Sequence, residues 1–164
     1  MKASSQTAVP CLLMRGGTSK GPFYKAADLP SDRALRDKVL LAAMGSPDKR
    51  QIDGLGGAHP LTSKVGIVRQ STVPGVALDF LFAQLQPAND TVDTTPNCGN
   101  MLAAVVPFAL ETGMLQAQMA PPPPACCRNW AWYRPCLCRV GAVQTKNQAQ
   151  RQAPYFGSRY PLCW

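Results

Sequence analysis

The sequence predicts an α+β domain in which a sheet wraps around a central apolar helix, followed by a tail that does not read as folded chain. Three observations predict it. Along residues 1–118, short segments rich in β-branched and aromatic residues alternate with turn-forming clusters, and two stretches carry helical spacing. One of those stretches, 98–112, is apolar almost throughout, as a helix covered on all sides must be. Near residue 119 both periodicities stop.

Val9–Met14 reads as a short buried strand. The run Arg15-Gly16-Gly17-Thr18-Ser19-Lys20-Gly21 follows as a turn, with glycines that permit positive φ and close approach to the backbone. Phe23-Tyr24 begins a second strand. Ser31–Met44 is the clearest helix: Ser31 caps it, Asp32 sits in its first turn, and Leu35, Val39 and Ala43, widened by Leu40 and Met44, form its apolar stripe. Asp32/Arg36 and Arg33/Asp37 are i,i+4 pairs on its wet side. Gly45-Ser46-Pro47 stops it, and a glycine-rich loop runs from Asp48 to Pro60. Lys64–Arg69 reads as a strand with Val65 and Ile67 on one face. Val76–Gln86 alternates as a strand entered through Pro74-Gly75, and Val92–Thr94 is a further short one. Cys98–Thr112 is the buried helix, capped by Asn97 or a neighbour, kinked or shortened by Pro107 and ended by Gly113. Turn-separated strands suggest antiparallel pairing.

Composition divides at the same place. Residues 1–118 hold 11 Lys+Arg against 9 Asp+Glu, a net +2, whereas 119–164 hold 6 Lys+Arg and no acid. The basic charge therefore belongs to the tail and does not describe a nucleic-acid-binding face on the domain. Cys11 and Cys98 lie in the first part; the other five cysteines, all three Trp and seven of the sixteen Pro lie in the tail. Two distant cysteines behind an N-terminus without an apolar signal run suggest reduced thiols in the cytoplasm. The longest apolar run, Met101–Leu110, is ten residues and too short to span a membrane.

Lys64 and Cys98 are the chemically informative pair. Each stands where irregular backbone meets a regular element, a place where reactive groups are presented. Lys64 acts as a base only where burial keeps it neutral; otherwise it is a surface lysine. A helix start favours a thiolate and attracts carboxylates, so Cys98 is either a reactive thiol or a small residue at a tight turn. Together they suggest proton transfer at carbon. The Arg15–Gly21 run lacks the glycine that a P-loop needs five residues before its Gly-Lys-Ser/Thr, and reads instead as an anion-holding turn built from N–H groups, Arg15, Thr18 and Ser19, or as a plain turn. Gly54-Leu55-Gly56-Gly57 is no dinucleotide fingerprint, because no strand leads into it. His59, the lone histidine, fits a solvent-facing position. The tail cysteines do not follow zinc spacing.

These residues carry a resemblance. Met14-Arg15-Gly16-Gly17-Thr18-Ser19-Lys20-Gly21, Met44-Gly45-Ser46-Pro47-Asp48, Arg50-Gln51-Ile52-Asp53-Gly54-Leu55-Gly56-Gly57, Pro60-Leu61-Thr62-Ser63-Lys64-Val65 and Pro96-Asn97-Cys98-Gly99-Asn100 fall in order. The chain resembles, over about residues 8–118, the methylaconitate isomerase and 4-oxalomesaconate tautomerase family of diaminopimelate-epimerase-like fold. The wording around His59-Pro60-Leu61 and Asp93-Thr94-Thr95-Pro96 is most similar to the 4-oxalomesaconate tautomerases of gallate breakdown. The resemblance implies a 1,3-allylic proton shift in an unsaturated polycarboxylate, with Lys64 and Cys98 catalytic. It places Arg15, Gly17, Thr18, Ser19, Ser63, Asn97, Gly99 and Asn100 at the substrate. It implies no metal, no organic cofactor, no nucleic-acid or membrane partner, and a homo-oligomer as an option for full-length members. Within the family, methylaconitate isomerase is the rival substrate assignment. Members run to roughly twice this length with two facing domains. Here the resemblance ends near Gln118, so a second domain is expected to be absent and the chain to be inactive as it stands. The tail, 119–164, is expected to be irregular or disordered and to come from an out-of-frame reading, which translation of the other two frames after codon 118 tests. A non-enzymatic alternative is a cationic-tailed protein that binds acidic partners.

Overall fold

The structure, a computed structural model, describes residues 6–116 and the backbone of two short strands at 127–129 and 134–136. The remaining tail residues, including most of those expected to be irregular, lie outside the described residues; the two short strands fall inside that stretch.

The N-terminal hairpin comes from the glycine-rich run. Strands β1 (Leu12–Gly16) and β2 (Ser19–Lys25) pair antiparallel with Gly16 opposite Ser19, leaving Gly17 and Thr18 as the turn. Gly17 has φ +52, a conformation that disfavours a side chain. Strand β1 begins later than Val9 and is not buried. It is an edge strand, and Leu13 on its outer face is 51% exposed.

A 3-10 turn at Ala26–Asp28 leads to helix α1 (Arg33–Met44). Asp32, not Ser31, caps it, accepting from the Leu35 N–H at 2.8 Å. That role removes Asp32 from the expected pair with Arg36, which bonds Asp37 instead; Arg33–Asp37 forms at 3.7 Å. The buried stripe is Leu40 and Met44, flanked by half-buried Val39 and Ala43, while Leu35 in the first turn is 52% exposed. After Gly45 the chain folds back. The N–H groups of Leu55 and Gly56 donate to Ala43 O and Met44 O, satisfying carbonyls that a helix end leaves open.

Strand β3 (Lys64–Gln70) pairs parallel with β2, against the antiparallel expectation, and antiparallel with β4 (Leu78–Leu85). Strand β5 (Val92–Asp93) adds to β4. Strands β6 (Cys127–Asn129) and β7 (Arg134–Cys136) extend the sheet beyond β4, in the order β1-β2-β3-β4-β6-β7. The helix expected at 98–112 is two helices, α2 (Gly99–Leu102) and α3 (Val105–Glu111). Pro107 explains the break. It cannot donate to Ala103 O, but in the first turn of a restarted helix no donor is needed. Gly113, at φ +71, ends α3 as expected.

The side chains of β3 and β4 alternate between two cores, because successive residues point to opposite faces. Val68, Leu78, Phe80 and Phe82 join Phe23 and the apolar residues of α2 and α3. Val65, Ile67, Leu81, Ala83 and Leu85 join Tyr24 and α1. The apolar helical segment is thus the core of one face, with Phe108 and Phe80 against the Phe23 ring at 5.7 and 6.2 Å. Such aromatic contacts add about 1 kcal/mol each to the burial itself. Among the described residues no helix is long and apolar enough to cross a membrane.

Tyr24 is 1% exposed, and burial first, then the Cys11 thiol beside it, push its hydroxyl well above the usual phenol range. With the folded value raised, its contribution to stability is intact below the ordinary value of 10.0 and is lost as pH climbs through the folded one. In urea titrations, stability should fall above pH ~10, and Tyr24→Phe should flatten that fall.

Candidate active site

Parallel pairing of β2 and β3 brings two strand starts together. Phe23 stands opposite Gly66 and Lys25 opposite Val68, so the same register sets Gly21 beside Lys64. Lys64 opens β3 and points with Gly66 and Val68 to the α2–α3 face; Ser19 opens β2 and points there with Gly21 and Phe23. The Lys64 ammonium or amine donates to Ser19 Oγ at 3.0 Å and lies 3.4 Å from Cys98 Sγ. Ser19 Oγ and Cys98 Sγ are 3.9 Å apart. The Phe82 ring lies below Nζ, 5.7 Å to its centre. Ser19 is fully buried, Lys64 is 9% exposed and Cys98 is partly exposed, so the sulfur is the outermost of the three. Among the described residues Lys64 forms no ion pair, and its partners are an alcohol and a thiol.

Cys98 is the residue before α2, in extended conformation, and Asn97 Oδ1 accepts from its N–H at 3.0 Å. Asp93 holds the turn that precedes Cys98 in the chain. Its Oδ1 accepts from the Thr95 hydroxyl at 2.6 Å and the Thr95 N–H at 2.9 Å, and these bonds hold its carboxyl below the usual carboxylate range. Helix α2 spans only four residues, so its dipole is a smaller influence on Cys98 than a helix through Thr112 would give. The hairpin turn docks directly on this start. Asn100 Nδ2 donates to Thr18 Oγ1 at 2.8 Å, and a Cβ on Gly16 or Gly17 would overlap Asn100. A Cβ on Gly21 would likewise overlap the Lys64 carbonyl. The glycines therefore let three backbone segments converge at side-chain-free distances.

The expected substrate residues fall into groups. Thr18, Asn97, Gly99 and Asn100 cluster around Cys98, and the space where a Cβ on Gly99 would stand is open. Ser19 is bonded to Lys64 itself, its hydroxyl accepting from Nζ at 3.0 Å. Arg15 is exposed, with Nε donating to Gly17 O at 3.1 Å. Ser63 is not brought to this group. It is fully buried, with its hydroxyl 2.9 Å from both Gln51 Oε1 and His59 O. His59 is exposed as expected and accepts from the Leu61 N–H through Nδ1.

Sequence reasoning missed two residues. Phe82 forms the floor under Lys64, and its signal was the alternation that sets it opposite Gly66 on β3. Gln51, at φ 51 and 1% exposed, holds the glycine-rich loop together. Its amide donates to Ser46 Oγ at 3.1 Å and accepts from the Ala58 N–H and Ser63 hydroxyl. A single glutamine in a glycine-rich loop was the available cue.

Residues 6–134 match the family model described as PrpF protein, a stretch that runs past residue 118. The 4-oxalomesaconate tautomerase of Pseudomonas putida is 58% identical over 118 residues, which cover 72% of this chain and 33% of that protein. The (4E)-oxalomesaconate Delta-isomerase of a Novosphingobium species is 56% identical over 110 residues, 67% of this chain and 31% of that one. The crystal structure of methylitaconate-delta-isomerase superposes with a TM-score of 0.72 at 48% identity, covering 78% of this chain and 33% of that one. The chain spans about a third of the length of these relatives.

Proposed function

Because this chain belongs to the PrpF protein family, we propose that its 164 residues carry the proton-transfer side of an isomerase acting on unsaturated oxo-polycarboxylates, of the 4-oxalomesaconate tautomerase kind and thus of gallate breakdown. The observation that carries the reading is the contact of Lys64 Nζ with Cys98 Sγ at 3.4 Å, with Ser19 Oγ beside the pair, 3.0 Å from the nitrogen and 3.9 Å from the sulfur. Two proton-exchanging groups side by side can serve the two ends of a 1,3 shift, one removing a proton and the other returning one.

Lys64 removes a proton from a carbon made acidic by neighbouring oxo and carboxylate groups. The bond electrons pass into the conjugated system as a dienolate, and Cys98 returns a proton at the far end. Ser19 orients the amine through its hydroxyl. An amine bonded to an alcohol and a thiol, with no carboxylate partner among the described residues, is open to an anionic substrate. Thr18, Asn97, Gly99 and Asn100 line the approach, and Arg15 offers charge at its rim. The chemistry calls on no metal or organic cofactor.

The test is an NMR assay in heavy water with oxalomesaconate and methylitaconate. Deuterium entering the allylic carbon of oxalomesaconate faster than that of methylitaconate is the expected result. Exchange in neither, by a full-length chain carrying these residues, overturns the reading. The 164 residues alone are expected to exchange more slowly than that full-length chain, because Cys98 and its surroundings are partly open to water, which weakens electrostatic stabilisation of the dienolate.

A further inference from the structure

An amine that touches a thiol is poised for more than proton exchange. Cys98 Sγ is partly exposed and so within reach of a small oxidant, while Lys64 Nζ sits behind it at 3.4 Å, on a residue only 9% exposed. Once the sulfur becomes electrophilic, the nucleophile already in contact with it is that nitrogen. Ser19 Oγ, 3.0 Å from Nζ and 3.9 Å from Sγ, can relay the proton the nitrogen must lose. Cys11 offers a contrast: the group beside it is the Tyr24 hydroxyl.

We infer that Lys64 and Cys98 form a modification site, at which a peroxide closes a covalent sulfur–nitrogen bond between the two side chains. The inference rests on this contact and stands whether or not the proposed isomerisation is correct. In the first step the Cys98 sulfur attacks a peroxide oxygen. The S–O bond forms as the O–O bond breaks, giving a sulfenic acid and water. In the second, the Lys64 amine attacks that sulfur. The S–N bond forms as the S–O bond breaks, and the departing hydroxide takes a nitrogen proton to leave as water. Thiol, amine and hydrogen peroxide thus give one sulfenamide and two waters. Sulfur is oxidised by two electrons and the peroxide is reduced by two. One bond removes both reactive groups, shields Cys98 from irreversible over-oxidation, and reopens on reduction by a thiol.

The test treats the full chain with hydrogen peroxide, digests it without reductant and maps the peptides by mass spectrometry. The expected product joins the Lys64 and Cys98 peptides with a mass below their sum by two hydrogen atoms, and dithiothreitol separates them. Labelling of the Lys64 amine should fall in step with the link. In Lys64→Arg, which keeps the charge without a nucleophilic amine, no link forms and Cys98 proceeds to sulfinic and sulfonic acid. Four results in the wild-type chain overturn the inference: sulfinic or sulfonic Cys98 with Lys64 still fully labelled, a disulfide from Cys98 to another cysteine, a link that retains an oxygen atom, or a Cys98 that does not react.

Discussion

Replacing Lys64 by methionine is expected to slow proton exchange at the substrate carbon by roughly a hundred- to ten-thousand-fold, the usual worth of a positioned acid or base. Methionine keeps the length and apolar stem, and the site is floored by the Phe82 ring, so the fold should survive. The readout is deuterium incorporation in a full-length chain carrying these residues, beside Cys98→Ser. The two variants should differ in kind. Without Lys64 the carbanion forms far more slowly, so exchange and conversion fall together; without Cys98 a proton is still removed, so exchange at the donor carbon persists while conversion to product falls. Equal loss of both in Cys98→Ser would assign the first proton removal to sulfur and reverse the roles.

The largest expected effect on stability comes from Gly21→Ala. A Cβ there overlaps the carbonyl oxygen of Lys64, which is backbone and cannot swing aside. The parallel pair β2–β3 must therefore part at the point where both strands begin their contact. A loss of at least ~4 kcal/mol follows, in the range reserved for overpacking and broken backbone pairing. Urea denaturation measures it. Gly99→Ala is the matched control, since open space surrounds its Cβ position, and it should unfold within about 1 kcal/mol of wild type. Equal stability of the two variants would show that β2 and β3 do not approach as described.

Much of this was legible from residue order alone. Lys64 and Cys98 stood out because each interrupts an irregular stretch at the start of a regular one, and both occupy those places. The strand at 78–85 was legible because alternation is a local property, even though both of its faces prove to be buried. Other features depend on partners distant in the chain. Ser63 neighbours Lys64 in sequence, yet its hydroxyl is held by Gln51 and His59 rather than by the amine and thiol. The parallel pairing of β2 with β3 is set by α1 and the loop between them, which carry the chain back across the sheet before β3 begins. The interruption at Ala103–Ala104 hides inside an unbroken apolar run, where only the missing donor of Pro107 hints at it. Asp32 outcompeted Ser31 as a cap because the choice between adjacent cap residues turns on where the first helical turn closes.

The bond from Asn100 to Thr18 has a mechanical consequence. Amine, alcohol and thiol come from three separate stretches of chain, but two stretches share a ladder and the third is latched to the bend joining β1 and β2. Thermal drift of any one drags the others along, so their mutual spacing is conserved even when the assembly as a whole sways. A molecule docking beside them would find the three groups already assembled and would not spend binding energy on gathering them.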